Sequence, residues 1–174
     1  MAVSQRNEFL DWKGEWEQVD VTVDSGCARN VAPPGMCPDI PVTETEESKA
    51  GRVFYAANGT TIPNMGEKLI GMKTQEGDTA WMKFQVTPVT KALGSVKTLC
   101  KVGNRVVFDD DGSYIENKLT KKITKIDDSD GTYKLKVWVP RRKSAGGEAS
   151  AVGEGSTGER PRWSEGFQRL ASLI

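Results

Sequence analysis

Histidine is missing from this chain of 174 residues, and only three cysteines are present. Without imidazole there can be no histidine-based catalytic triad, no cysteine–histidine nucleophile pair and no zinc site with histidine ligands. The groups that remain for proton exchange near neutral pH are carboxylates, lysines, tyrosines and thiols whose pKa values are perturbed. A large part of enzyme chemistry is thereby excluded.

A surplus of one charge sign is also lacking, because 24 Lys and Arg side chains balance 24 Asp and Glu side chains. We therefore expect no direct nucleic-acid binding. No run of about 18 apolar residues occurs and the N-terminus has no apolar signal stretch, so we expect a cytoplasmic or nuclear protein without a membrane partner. Cys27, Cys37 and Cys100 are odd in number and widely spaced, which predicts reduced thiols, no metal and no cofactor.

The length is sufficient for one ordinary domain with flanking segments. We predict an N-terminal arm over residues 1–17, one domain over residues 18–140, a flexible linker over residues 141–160 and a short C-terminal helix over residues 161–174. The linker prediction rests on a stretch rich in Gly, Ser, Ala and Glu, which has too few apolar groups to form a core.

Short β-strands separated by turns dominate the pattern of the predicted domain. Valines alternate with polar residues over residues 19–24, as expected of a strand with one buried face. The pair Asn58-Gly59 favours a hairpin, because both residues tolerate positive φ, and a second hairpin is predicted around Gly77-Asp78. Strands at intervals of about ten residues predict an all-β fold.

Two segments depart from the strand pattern. Residues 32–50 contain several prolines followed by acidic residues, which predicts a loop without a helix. Apolar residues recur at helical spacing at Leu93, Val96, Leu99, Cys100 and Val102, with Ser95 as the N-cap and Gly103 just past the end. We therefore expect one short helix inside the domain.

The tripeptide Asp24-Ser25-Gly26 is the most informative candidate site. It places a carboxylate at the end of a buried strand, followed by a hydroxyl and by a glycine that permits a tight turn. By itself the tripeptide also fits a simple turn in which the aspartate accepts a local hydrogen bond. In an aspartic protease, two such carboxylates share one proton, so that one activates water and the other polarises the scissile carbonyl.

The order of several motifs resembles a retropepsin, and more narrowly the protease segment of copia-type retrotransposon polyproteins. After Val23-Asp24-Ser25-Gly26 the chain carries Ala57-Asn58-Gly59-Thr60, then Leu93-Gly94-Ser95-Val96 at the helix, and then Val107-Phe108-Asp109. The resemblance covers about residues 18–139 and implies an all-β, retropepsin-like acid protease half-barrel with one short helix.

The resemblance also implies roles for individual residues. Asp24 would be the catalytic carboxylate, Ser25 would bond across a dimer, and Gly26 would let two copies of the loop approach. Ala57, Asn58, Gly59 and Thr60 would form the flap over an extended peptide or polyprotein substrate. Because each chain has one Asp-Ser-Gly, the resemblance implies a homodimer.

An alternative is a domesticated or decayed domain that keeps the fold and binds peptides without cleaving them. The chain departs from the family pattern at Cys27, where the family usually has a small residue after the catalytic tripeptide. A thiol there is small enough for the turn, but its oxidation would block the site.

Overall fold

The computed structural model describes residues 15–141, and strands account for most of its regular structure. Eleven strands lie in this part of the chain: β1 (Glu15–Asp24), β2 (Val31–Ala32), β3 (Val53–Tyr55), β4 (Thr61–Pro63), β5 (Gly66–Thr74), β6 (Thr79–Val86), β7 (Ala92–Ser95), β8 (Asn104–Val107), β9 (Ser113–Asn117), β10 (Ile123–Ile126) and β11 (Lys134–Arg141). Two short helices accompany them, α1 (Glu46–Lys49) and α2 (Val96–Lys101). The all-β prediction is therefore confirmed at the level of fold class.

Six of the strands close into a barrel in the order β1-β11-β5-β6-β2-β7. The long strand β1 pairs antiparallel with β11 on one side and parallel with β7 on the other. Strand β7 also pairs antiparallel with β2 at Val31 and Leu93, so it lies between β1 and β2. The loop that connects β1 to β2 therefore passes the end of β7, which lies between these two strands.

The barrel core consists of the apolar side chains that alternate along its strands. Val21 and Val23 of β1 are buried, as the alternation of residues 19–24 predicted. In β6 every second residue faces the core, and Trp81 lies outside that series. The core side chains of the other long strands are Ile70 and Met72 of β5 and Leu135, Val137 and Val139 of β11.

The three-stranded sheet β10-β9-β8 and helix α2 cover part of the barrel. The predicted helix is confirmed, because Ser95 caps its N-terminus by accepting from the Thr98 N–H (3.2 Å) and Gly103 follows with φ of 95°. Leu99 of α2 and Ile115 of β9 join the barrel core. Leu93 lies in β7 and not in the helix.

The two predicted hairpins are present. Strands β3 and β4 form a separate two-stranded sheet around Asn58-Gly59, and β5 pairs with β6 around Gly77. The prediction that no helix lies in residues 32–50 was wrong, since α1 forms there. Thr45 and Ser48 make a reciprocal capping box that starts this single helical turn, and the prolines all precede it.

The ends of the barrel differ from the predicted domain bounds. Strand β1 begins at Glu15, inside the segment that we assigned to the arm, and β11 extends to Arg141. The remainder of the predicted arm, the linker and the C-terminal helix lie outside the described residues. Neither helix within residues 15–141 has the length and apolar character needed to cross a bilayer.

Candidate active site

Asp24 occupies the last position of β1, where its strand leaves the barrel. It lies in register with Ser95, the last residue of the parallel strand β7. Because parallel strands end at the same edge of a sheet, the turn after Asp24 and the start of α2 meet at one end of the barrel. The Asp24 side chain is half-buried there, whereas Ser25 and Gly26 are exposed.

A hydrogen bond inside the tripeptide orients the Asp24 carboxylate. The Gly26 N–H donates to Asp24 Oδ1 (2.7 Å), which is the local turn that aspartates favour. A Cβ atom at Gly26 would lie 3.3 Å from that same oxygen, closer than ordinary contact distance. A side chain at position 26 would therefore push the Asp24 carboxylate out of its present position.

Cys27 contributes to the same turn through its backbone and its thiol. Its carbonyl oxygen accepts from Ser95 Oγ (2.6 Å), and its Sγ donates to the Arg29 carbonyl (2.7 Å). Burial raises the pKa of the Cys27 thiol, and the nearby Asp24 carboxylate raises it further. The thiol is therefore held in its protonated, weakly nucleophilic form at neutral pH.

Asn30 links the far end of this loop to the barrel. Its Oδ1 accepts from the Ser95 N–H (2.8 Å), and its Nδ2 donates to the Lys83 carbonyl (3.0 Å) in β6. Asn30 is 5% exposed and Ser95 is fully buried. Buried amides and hydroxyls are stable only when they are hydrogen-bonded, so these contacts fix the relative positions of the loop, β6 and β7.

The predicted substrate-binding residues lie at the tip of the β3–β4 hairpin. Ala57, Asn58, Gly59 and Thr60 are all exposed. Gly59 has φ of 80°, whereas Asn58 does not have positive φ, so only the glycine adopts the conformation expected of the Asn-Gly pair. The Asn58 Oδ1 accepts from the Thr60 N–H (3.0 Å). A second local bond runs from the Gly59 N–H to the Ala56 carbonyl (2.9 Å).

The hairpin and the Asp24 loop are joined at the base of the hairpin. The guanidinium of Arg29 contacts both carboxylate oxygens of Glu47 in α1, at 2.5 and 3.0 Å. The hydrogen bonds from Arg29 hold the pKa of the Glu47 carboxyl below its usual range. The Arg52 N–H in turn donates to the Glu47 carbonyl (3.0 Å), directly before β3.

A buried lysine fixes the proline-rich loop that follows β2. Lys68 is 3% exposed, and its Nζ donates to the carbonyls of Pro34 (3.0 Å), Met36 (2.9 Å) and Cys37 (3.3 Å). Burial lowers the pKa of Lys68 and raises the pKa of the Cys37 thiol to about 11. The three carbonyls stabilise a charge that would otherwise be costly to bury.

Sequence reasoning predicted the tripeptide and the hairpin tip as the site, but it missed three side chains that hold the loops around them. Asn30 lies in a polar loop, Lys68 lies on the core-facing side of β5 with Ile70 and Met72, and Ser95 was predicted only as a helix cap. The one available signal was Lys68, because a lysine on the core-facing side of an alternating strand requires buried acceptors.

The chemistry open to this site is acid–base chemistry by a carboxylate. Within residues 15–141 no cluster of three or more Cys, Asp or Glu side chains is arranged to hold a metal ion. Comparisons with protein-family models, with curated proteins and with solved structures found no match to this chain.

Proposed function

We propose that this chain is an aspartic endopeptidase with a retropepsin-like fold, that it acts as a homodimer, and that Asp24 is its catalytic carboxylate. The observation that carries the proposal is the position of Asp24-Ser25-Gly26. The carboxylate ends a buried barrel strand, a hydrogen bond from Gly26 orients it, and β7 lies between the strands on either side of its loop.

The exposure of the loop supports pairing with a second copy. Ser25 and Gly26 are exposed while Asp24 is half-buried, so another copy of the same loop can approach along a two-fold axis. Two Asp24 carboxylates placed side by side do not both ionise near neutral pH, because the like charges repel. One proton is then shared by the pair.

The shared proton divides the catalytic work between the two copies. The ionised Asp24 removes a proton from a water molecule, which attacks the scissile carbonyl carbon. The protonated Asp24 of the other copy donates a hydrogen bond to the carbonyl oxygen as negative charge develops there. The amine leaving group then receives a proton from the pair, which returns the dyad to its starting state.

The substrate in this proposal is an extended peptide beneath the β3–β4 hairpin. Main-chain hydrogen bonds would hold such a peptide as an added strand, and alternate side chains would enter apolar pockets. The exposed, glycine-containing tip at residues 57–60 suits a flap that opens for the peptide and closes to exclude water. The protein's own retrotransposon-type polyprotein is the substrate that we propose.

The test compares cleavage of a diverse peptide library by the native chain, by Asp24→Asn and by Asp20→Asn between about pH 4 and pH 7, where a shared proton is held. Asp20 is an exposed carboxylate on the same strand, so Asp20→Asn is a matched control. We expect only Asp24→Asn to lose cleavage. Cleavage that survives in Asp24→Asn, or no cleavage by a folded native dimer, would contradict the proposal and favour the peptide-binding alternative.

A mixing experiment tests the dimeric site. When native and Asp24→Asn chains exchange freely in equal amounts, random pairing leaves about one quarter of the dimers with two carboxylates. We therefore expect activity to fall to about one quarter of that of an all-native sample at the same total concentration. A fall to only one half would show that each copy acts alone.

A further inference from the structure

The loop from Asp24 to Asn30 is anchored by side chains that do not belong to the catalytic tripeptide. Ser95 Oγ donates to the Cys27 carbonyl (2.6 Å), directly after the tripeptide, and Asn30 Oδ1 accepts from the Ser95 N–H (2.8 Å). Asn30 is itself held by the Lys83 carbonyl and by the Gln85 N–H, which donates to its backbone oxygen (2.9 Å). The loop is therefore bonded to β6 and β7 at two points.

The Ser95 hydroxyl has two partners with opposite requirements. It accepts from the Thr98 N–H (3.2 Å) as the cap of α2, and it donates its own hydrogen to the Cys27 carbonyl. A helix cap requires only an acceptor, which Asp or Asn supplies equally well. Donation to Cys27 at the same time requires a donor as well, which an ionised Asp lacks and which serine supplies from the same oxygen atom, so the Ser95 side chain does more than cap the helix.

We propose that Ser95 and Asn30 are positioning residues for the catalytic carboxylate. Their hydrogen bonds fix the Asp24–Cys27 turn against β7, and so set the distance at which the two Asp24 carboxylates of a dimer face each other. This inference rests on the proposed function. It assigns to a buried serine and a buried asparagine a role in the proton sharing of the dyad, although neither of them touches the substrate.

The proposal predicts a change in the pH profile of kcat. In a coupled pair, the lower of the two pKa values is depressed and the upper one is raised, so activity spans a broad range of pH. When the loop loosens, the carboxylates separate, their coupling weakens and the two pKa values converge. We expect Ser95→Ala to narrow the bell-shaped pH profile of kcat on both its acidic and its basic side. The same variant should lower kcat by about 10- to 100-fold and change KM by less than about threefold.

Two further variants separate positioning from stability. Ser95→Thr retains the hydroxyl, and we expect it to restore the width of the bell. Ser113→Ala is the matched control, because Ser113 is also buried and its Oγ bonds the Asp109 N–H (3.1 Å) and carbonyl (3.3 Å) in a different loop. We expect Ser113→Ala to lower stability while leaving the pH profile of kcat unchanged.

A measurement without substrate completes the test. Amide hydrogen exchange at Gly26, whose N–H bonds Asp24, should accelerate by about tenfold in Ser95→Ala and in Asn30→Ala, but not in Ser113→Ala. A folded Ser95→Ala dimer with native bell width and native exchange would overturn this inference while leaving the proposed function intact. A native dimer that cleaves nothing would instead overturn the proposed function, and the positioning role of Ser95 with it.

Discussion

Replacing Gly26 by alanine should reduce activity without reducing stability. Gly26 does not have a positive φ, so an alanine can adopt the same backbone conformation. The added Cβ would lie 3.3 Å from Asp24 Oδ1, and relief of that contact moves the carboxylate by a few tenths of an ångström. The hydrogen bond from the Gly26 N–H to the same oxygen must lengthen or tilt as a result.

The expected magnitudes for folding and catalysis have opposite signs. At a compatible position, Gly→Ala stabilises a protein by about 0.4–1 kcal/mol, because the unfolded chain loses freedom. In catalysis, a misplacement of about 1 Å costs about 100-fold in rate, so a shift of about 0.3–0.5 Å costs about 4- to 10-fold, or about 0.8–1.4 kcal/mol of barrier. Because the methyl group is present in both copies of a dimer, we expect kcat/KM to fall by about 10- to 100-fold.

The assay pairs urea unfolding with kcat/KM on one cleaved peptide, and sedimentation confirms that the dimer persists. Gly35→Ala is the control, since a Cβ at Gly35 meets nothing within 4 Å and its φ is not positive. We expect Gly35→Ala to be slightly stabilised and fully active. If dimeric Gly26→Ala keeps kcat/KM within about twofold of native, the reasoning about the carboxylate position is refuted.

Other sites give predictions that are independent of activity. Gly66→Ala should lower the free energy of unfolding by about 3–5 kcal/mol, because its Cβ would lie 2.4 Å from the Thr43 carbonyl oxygen at a backbone φ of 127°. Gly59→Ala at the open hairpin tip should lower it by only about 1–2 kcal/mol. Equal losses in urea unfolding would contradict the steric argument. Lys68→Met should lower the free energy of unfolding by about 2–4 kcal/mol, because three carbonyls lose their hydrogen-bond donor. An unchanged urea midpoint would contradict this expectation. The hydrogen bond from Lys134 lowers the pKa of Asp130 from 3.8 to about 2, so its stabilising contribution is present above pH 3.8 and is lost as the pH falls through 2. The urea midpoint of Asp130→Asn should therefore lie below that of the native chain at pH 7, and the difference should vanish below about pH 2.

The elements that could be predicted from the sequence are those with local signals. The hairpin at Asn58-Gly59 depends on the positive φ of Gly59, and helix α2 depends on a cap at Ser95 and a glycine at position 103. Alternating valines were sufficient to predict the part of β1 from residue 18 onward and its buried face, but not the start of the strand at Glu15. In each case the signal lies within about ten residues of the structure that it specifies.

Elements that depend on distant partners were not predictable in the same way. Strand β2 has only two residues and exists because it pairs with both β6 and β7, which a local pattern does not record. Helix α1 is one turn long, and a threonine–serine capping box starts it among residues that otherwise read as loop. Its position beside the site follows from the contact between Arg29 and Glu47, which are 18 residues apart.

The same limit applies to the side chains that connect the two predicted parts of the site. Asn64 at the base of the hairpin donates to Gln85 Oε1 (3.3 Å), the Gln85 N–H donates to the Asn30 carbonyl (2.9 Å), and Asn30 bonds Ser95 beside the Asp24 loop. All four side chains are buried. A buried polar chain of this kind is stable only when every member is bonded, so it admits few arrangements of the hairpin base and of the loop. We infer that these polar residues determine the conformation of the site, whereas the apolar alternation that the sequence displays determines only the barrel that carries it.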